Sequence, residues 1–303
     1  MPQCLKCGAE LPVNEEGMAP VLCDRCAGRA TRRARVGLRT GAISTFPATT
    51  ALVAINVAVF VGMVLTGGSL IDFSPQQTIL WGANITPLTV NGQYWRLITA
   101  GFVHSGLLHI GFNMWCLWSL GQLSERLFGR FITVAIYLLT GVGGSLLSLA
   151  ARPLTFEVGA SGAIFGIAGA ILSGVKFGNV SIPSAQKRAI FSSLIFFIGF
   201  NLAIGFGLVR IGIGIDNWCH LGGLISGLIF GVPLAVAAAT GKKGFEWLTM
   251  VLAALVLAGV GARVVQARAA DIRPLLQQTL MHGAPTVESQ HVAFVADHQS
   301  SSN

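Results

Sequence analysis

At 303 residues, 53% hydrophobic and only 11% charged, the chain carries 20 Lys and Arg against 12 Asp and Glu, a net charge of +8. With a mean hydropathy of +0.69, this composition excludes a water-soluble globular protein and points to an all-α polytopic membrane protein, since an open sheet cannot satisfy its backbone in lipid. The positive balance requires no nucleic-acid partner. Much of it falls in residues 29–39, where anionic lipid headgroups are the expected partner.

Residues 1–27 read as a separate module. Cys4-x-x-Cys7 and Cys23-x-x-Cys26 are separated by 15 residues, and Gly8 and Gly28 follow the two pairs. That spacing suits a four-thiolate zinc site. A segment this short buries no useful core, so structural zinc would supply its folding energy. Two disulfides are the alternative, which a reducing cytoplasmic side disfavours. Residues 28–47 form a basic linker, with no apolar signal-peptide region ahead of residue 48.

Seven apolar runs follow, at about 48–66, 104–121, 131–150, 159–175, 189–208, 218–239 and 246–264. Each crossing needs ~20 mainly apolar residues. The second and fourth are short and rich in polar or small residues, as suits positions inside a bundle. Residues 67–103 form a long loop carrying Trp81, Pro87, Tyr94 and Trp95, suited to the membrane interface and expected to be ordered. Cys116 and Cys219 read as small packing residues, although Cys219 adjoins His220 and is open to thiol reagents in principle. Residues 241–266 hold an additional membrane helix, and 267–303 read as a flexible polar tail.

With a cytoplasmic N-terminus, 14 of the 20 Lys and Arg fall on the inner side. Seven crossings then put the C-terminus outside, and a plasma (inner) membrane is the expected location.

Ionisable groups within hydrocarbon cost several kcal/mol and default to a functional reading. His104, His109 and Asn113 open the second run, Ser161 the fourth and His220 the sixth. These three runs all lead from outside to inside, so topology places the five side chains in one layer. Gly162, Gly166 and Ala170 on one helix, and Gly223, Gly227 and Gly231 on another, form small-residue seams for close packing. A Ser161–His220 hydrogen bond is then plausible, with the imidazole as base for the hydroxyl. His109 and Asn113 share a helix face and, with the backbone N–H of Ser161, offer oxyanion donors. Asp216, one turn before His220, reads as a helix cap rather than a third catalytic member.

His104-Ser-Gly-Leu-Leu-His109-Ile-Gly-Phe-Asn113, Gly159-Ala-Ser161-Gly162 and His220-Leu-Gly-Gly223-Leu-Ile-Ser-Gly227 resemble the rhomboid family of intramembrane serine proteases. Tyr94-Trp95-Arg96 and Glu125-Arg126-Leu127-Phe128-Gly129 are similar to further family features. The resemblance covers residues 48–240. It implies a six-helix core with a water-filled cavity open to the outside, here with a seventh helix added. It also implies Ser161 as nucleophile, His220 as general base and acid, His109 and Asn113 as oxyanion donors, and no cofactor for catalysis. Gly159 and Gly162 would permit the tight helix start. His104 has no assigned role beyond tying down a loop or helix end. Phe165 stands where some relatives carry a tyrosine beneath the histidine, so ring support of His220 without a hydrogen bond is expected. Transmembrane proteins within the bilayer would be the substrates. The alternatives are a catalytically inactive rhomboid-like protein that binds membrane clients, which the filled Ser161 and His220 positions disfavour, and a proton-relaying transporter. The near absence of Asp and Glu within the spans and the lack of an internal repeat disfavour the latter.

Overall fold

The computed structural model describes residues 3, 7–11, 23, 45–152, 154–177, 183–209, 215–240 and 243–281. The chain divides into two compact units, Met1–Thr45 and Phe46–Asn303. In the first, Gln3 bridges Glu10, and Gly8 takes a positive φ of 72° in the turn between them. The Cys7 and Cys23 sulfurs lie 3.6 Å apart and are not joined in a disulfide. Cys4 and Cys26 fall outside the described residues.

The second unit is mainly helical. Helix α1 (Pro47–Leu65) begins on a proline, whose missing N–H is no loss at a helix start. The other orphan donors of its first turn meet Glu125, which accepts from Ala48 N at 3.2 Å and from Thr49 N and Oγ1 at 3.0 and 2.9 Å. The long loop is ordered, as expected. It holds α2 (Pro75–Leu80), capped by Ser74, strand β1 (Asn84–Ile85), α3 (Thr86–Val90), and α4 (Arg96–Thr99) with a 3-10 turn over Ala100–Phe102. Arg96 is buried and donates to the carbonyls of Ile79 and Ala83, which binds the loop to itself.

Helix α5 (Leu107–Phe128) and α6 (Arg130–Ala151) flank Gly129, whose φ of 83° makes the corner between them. Strand β2 (Phe156–Glu157) pairs antiparallel with β1 in the register Asn84↔Glu157 and Ile85↔Phe156. Then come α7 (Ser161–Phe177), α8 (Ser184–Val209), α9 (Asn217–Thr240) and α10 (Lys243–Met281).

The core forms around α7, buried at every position from Gly162 to Val175. The two glycine seams meet residue for residue. A Cβ on Gly223 would land on the carbonyl oxygen of Gly162, one on Gly227 on that of Gly166, and one on Gly231 2.7 Å from the Cα of Ala170. Side-chain-free surfaces let the α7 and α9 backbones touch.

Among the described residues, five helices are long and apolar enough to cross a membrane: α1, α6, α8, α9 and α10. The other two of the seven expected runs are helices of a different kind. At 17 residues, α7 reaches about 26 Å at 1.5 Å per residue, short of the ~30 Å hydrocarbon core. Helix α5 is long enough but polar, with Asn113 and Ser124 buried and Phe112, Trp115 and Trp118 exposed.

Two boundaries differ from expectation. His104 precedes α5 rather than lying within it, and the last helix runs past residue 266, into the first part of the expected tail, to Met281. Its extension is held by contacts with the core. Arg268 donates to the C-terminal carbonyls of α6, at Leu149 with 2.9 Å and also at Ala150, and Ile272 is buried.

Candidate active site

Ser161 is the first residue of α7, placed by the strand–turn–helix path from β2. Gly159 takes a φ of 110°, a left-handed conformation that glycine adopts without steric penalty. Its N–H donates to the Ala100 carbonyl at 2.9 Å. A Cβ here would lie 2.6 Å from Nε2 of His109 and 3.8 Å from Nδ2 of Asn113, so glycine is also required by space.

His220 stands in the first turn of α9, with Nε2 2.8 Å from Oγ of Ser161. A serine donating to Nε2 leaves the neutral imidazole's proton on Nδ1. That nitrogen is buried and has no hydrogen-bond partner among the described residues. Support comes from Phe165, whose ring stacks on the imidazole with centroids 4.4 Å apart and planes at 4°, as the missing hydroxyl implied. Asp216 is turned elsewhere. Its Oδ1 accepts from Trp218 N and Cys219 N at 3.1 and 3.2 Å, and Oδ2 accepts from Ser148 Oγ, so it caps α9.

His109 and Asn113 project from one face of α5 toward the same turn. Nδ1 of His109 accepts from the Ser105 backbone N–H at 3.3 Å and lies 3.0 Å from its hydroxyl. A backbone N–H can only donate, so the neutral ring carries its proton on Nε2, the nitrogen facing Gly159. Asn113 Nδ2 gives one hydrogen to the His109 carbonyl at 2.9 Å, which leaves its second free to point across the turn. His104 is fully buried, donates from Nδ1 to the Phe102 carbonyl at 3.2 Å and meets the His109 ring edge-on at 5.2 Å. It therefore braces His109 and the turn ahead of α5, apart from the serine.

Three contributors to this arrangement are not evident from sequence patterns. Ser105 fixes the His109 tautomer. Tyr137 donates to the Gly101 carbonyl at 2.9 Å and accepts from Asn56 at 3.1 Å, holding the turn before α5 against α6 and α1. Glu157, four residues before Ser161, is buried among polar partners. An isolated carboxylate in an otherwise uncharged stretch was the available signal. Cys219 packs against Gly144 and Gly162 as expected, but it is 3% exposed and its thiol donates to Glu157 at 3.1 Å, so it is shielded from aqueous thiol reagents.

Fold and site together define a multi-pass helical membrane protein with a serine–histidine pair at the meeting of two helix N-termini. The Rhomboid domain family model matches residues 91–237. Rhomboid protease GluP of Bacillus subtilis (strain 168) is 35% identical over 193 residues, covering 63% of this chain and 36% of its own. Rhomboid protease AarA of Providencia stuartii is 32% identical over 207 residues, covering 61% of this chain and 71% of its own. RHOMBOID-like protein 6, mitochondrial, of Arabidopsis thaliana is 39% identical over 152 residues, or 50% of this chain and 47% of its own. The chain belongs to the rhomboid family. It spans from about a third to a half of the length of several of these relatives, 36% of GluP and 47% of RHOMBOID-like protein 6.

Proposed function

We propose that this chain is an intramembrane serine endopeptidase that cleaves peptide bonds in or near the transmembrane segments of other membrane proteins. The observation that carries this reading is the 2.8 Å contact between Ser161 Oγ and His220 Nε2. As a substrate carbonyl reaches Ser161, Oγ attacks the carbon while Nε2 takes its proton. The carbonyl oxygen gains negative charge beside three donors: the Nε2–H of His109, the free Nδ2–H of Asn113 and the Ser161 backbone N–H at the helix start. Collapse of the tetrahedral intermediate breaks the C–N bond, and the imidazolium returns its proton to the leaving amine. Water then repeats the sequence on the acyl-enzyme, with His220 as base and Ser161 as leaving group. With no acceptor on Nδ1 among the described residues, the stacked Phe165 ring faces the transient positive charge.

The reading extends to topology. Seven crossings, six in the core and α10 as the seventh, would place the N-terminus in the cytoplasm and the serine near the outer leaflet. Water would descend to it, and a substrate helix would enter sideways and unwind. Basic residues ahead of α1 would rest on anionic lipid.

The cysteine module would bind one structural zinc. Two thiolates at ~2.3 Å from a tetrahedral zinc lie about 3.8 Å apart, a spacing compatible with the 3.6 Å between Cys7 and Cys23. Cys4 and Cys26 would complete the set. One zinc per chain is expected on elemental analysis of the purified protein. Chelation should make residues 1–27 protease-sensitive and leave the membrane core active.

A fluorophosphonate probe on the detergent-solubilised protein tests the main reading. Labelling is expected in the wild type and at background in Ser161→Ala and His220→Ala, and the losses should not add in the double variant. Undiminished labelling in Ser161→Ala would end the assignment.

A further inference from the structure

We propose that Glu157 is a positioning residue that works as a neutral carboxylic acid, holding Ser161 and His220 in register, and that its ionisation at alkaline pH releases them. This rests on the reading of Ser161 and His220 as the reacting pair.

Glu157 is 4% exposed and joins four separate parts of the fold. From β2, its Oε2 accepts from Asn84 Nδ2 on β1 at 2.7 Å, and Asn84 Oδ1 in turn accepts from Thr89 Oγ1 at 2.7 Å on α3. Its Oε1 lies 2.7 Å from Ser145 Oγ on α6 and 3.1 Å from Cys219 Sγ on α9. One end of this network leads through the left-handed Gly159 turn to Ser161. The other reaches Cys219, the residue before His220. Any shift of Glu157 therefore acts on both partners of the 2.8 Å contact.

The hydroxyl of Ser145 can satisfy both of its neighbours only if Glu157 is neutral. It lies 3.1 Å from the Leu97 carbonyl as well as 2.7 Å from Glu157. It has one hydrogen, and a carbonyl can only accept. With that hydrogen on Leu97, the contact to Glu157 is complete only if Glu157 carries a proton and donates it to Ser145 Oγ. The neighbourhood favours the same state. Asp216 accepts from three donors, Trp218 N, Cys219 N and Ser148 Oγ, and stands next to this layer. A buried carboxyl beside another acidic group is costly to ionise, and Glu157 is the buried one of the two, whereas Asp216 is half-buried. Burial first, and the charge of Asp216 second, push Glu157 up to about 7.

The titratable groups around it are few. On α9 they are Asp216, Cys219 and His220. On α4, Arg96 donates to the Ile79 and Ala83 carbonyls. The facing residues of β1, α3 and α6, namely Asn84, Thr89, Ser145 and Ser148, do not titrate. Ionisation would put a second negative charge in this buried layer and remove the donor to Ser145.

The experiment is the rate of fluorophosphonate labelling at Ser161 against pH, on the full chain in detergent, with the melting temperature recorded for each variant. In the wild type the rate should rise as His220 becomes neutral and fall again on the alkaline side. Glu157→Gln keeps a neutral donor and acceptor, so it should label at close to the wild-type rate on the acid side of neutrality and lose the fall at higher pH. Glu157→Leu should label about 100-fold more slowly at every pH, the scale of loss when reacting groups shift by about an ångström. If the leucine variant does not fold, the comparison of wild type with Glu157→Gln decides alone. An alkaline fall that persists in Glu157→Gln, or its absence in the wild type, overturns the proposal. A wild-type chain that takes no label overturns the reading of Ser161 beneath it, which keeps the two failures distinct.

Discussion

Helices α9 and α8 are both apolar enough to cross a membrane, yet 56% of an 18-residue apolar stretch of one is buried and only 17% of that of the other. The buried helix carries Gly223, Gly227 and Gly231 against α7. The exposed one turns Phe191, Phe196, Phe200 and Phe206 outward and reaches the centre through Phe197, whose ring lies 5.6 Å from that of Phe165. Hydropathy does not separate the two. What separates them is the size of the residues along the contact, because lipid solvates an apolar side chain as well as a neighbouring helix does and only close backbone approach favours association. The site rests on the tightly packed pair.

Valine substitutions put that contrast to its strongest test. Gly227→Val drives a Cβ into the Gly166 carbonyl, whereas a Cβ at Gly199 on α8 meets nothing within 4 Å. Gly227→Val should cost about 3 kcal/mol or more, as overpacked cores do, and Gly199→Val should stay within about 0.5 kcal/mol. Thermal unfolding in detergent gives both values, and equal losses would remove the distinction between the helices.

A smaller effect is expected on the rate alone. Asn113→Ala removes one of the three proposed oxyanion donors and should lower labelling by ~100- to 1000-fold with the melting temperature nearly unchanged. Its Nδ2 also bonds the His109 carbonyl, so a large drop in melting temperature would recast it as a structural residue.

The smallest effect concerns stability and pH. Glu157 holds its proton more tightly in the folded protein, with a value raised from 4.5 to about 7. Below about 4.5 both folded and unfolded chains are protonated and its contribution is fully present. As pH rises toward about 7 the unfolded chain has already lost the proton, so stability falls, and above that it levels off. The melting temperature should decline across this window in the wild type and be flatter in Glu157→Gln.

Much of this was legible in the amino-acid order. Ser161, His220, His109 and Asn113 stand near the starts of three helices, and a membrane forces alternate helices to begin on one side, so periodicity and charge bias together predicted their meeting. The placing of Phe165 beneath His220 came only through the family resemblance. Glu157 was not legible in this way. Its main partner Asn84 lies 73 positions away, on a strand two residues long that has no alternation to detect. The helical continuation beyond residue 266 escaped for a related reason. Arg268 and Asp271 look like solvent residues until the open carbonyls at the end of α6 are in view. Local pattern reveals which side chains share a face, and long-range pairing of polar groups leaves no such trace.

The carboxylate of Glu125 at the start of α1 has a consequence for how the protein is made. The donors of Ala48 are completed by a residue synthesised 77 positions later. At the usual ~5–20 residues per second of translation, α1 waits about 4 to 15 seconds for its cap. During that interval its first turn has water or lipid headgroups as partners, so it rests at the interface. Docking of the C-terminal end of α5, which carries Glu125, ends the wait.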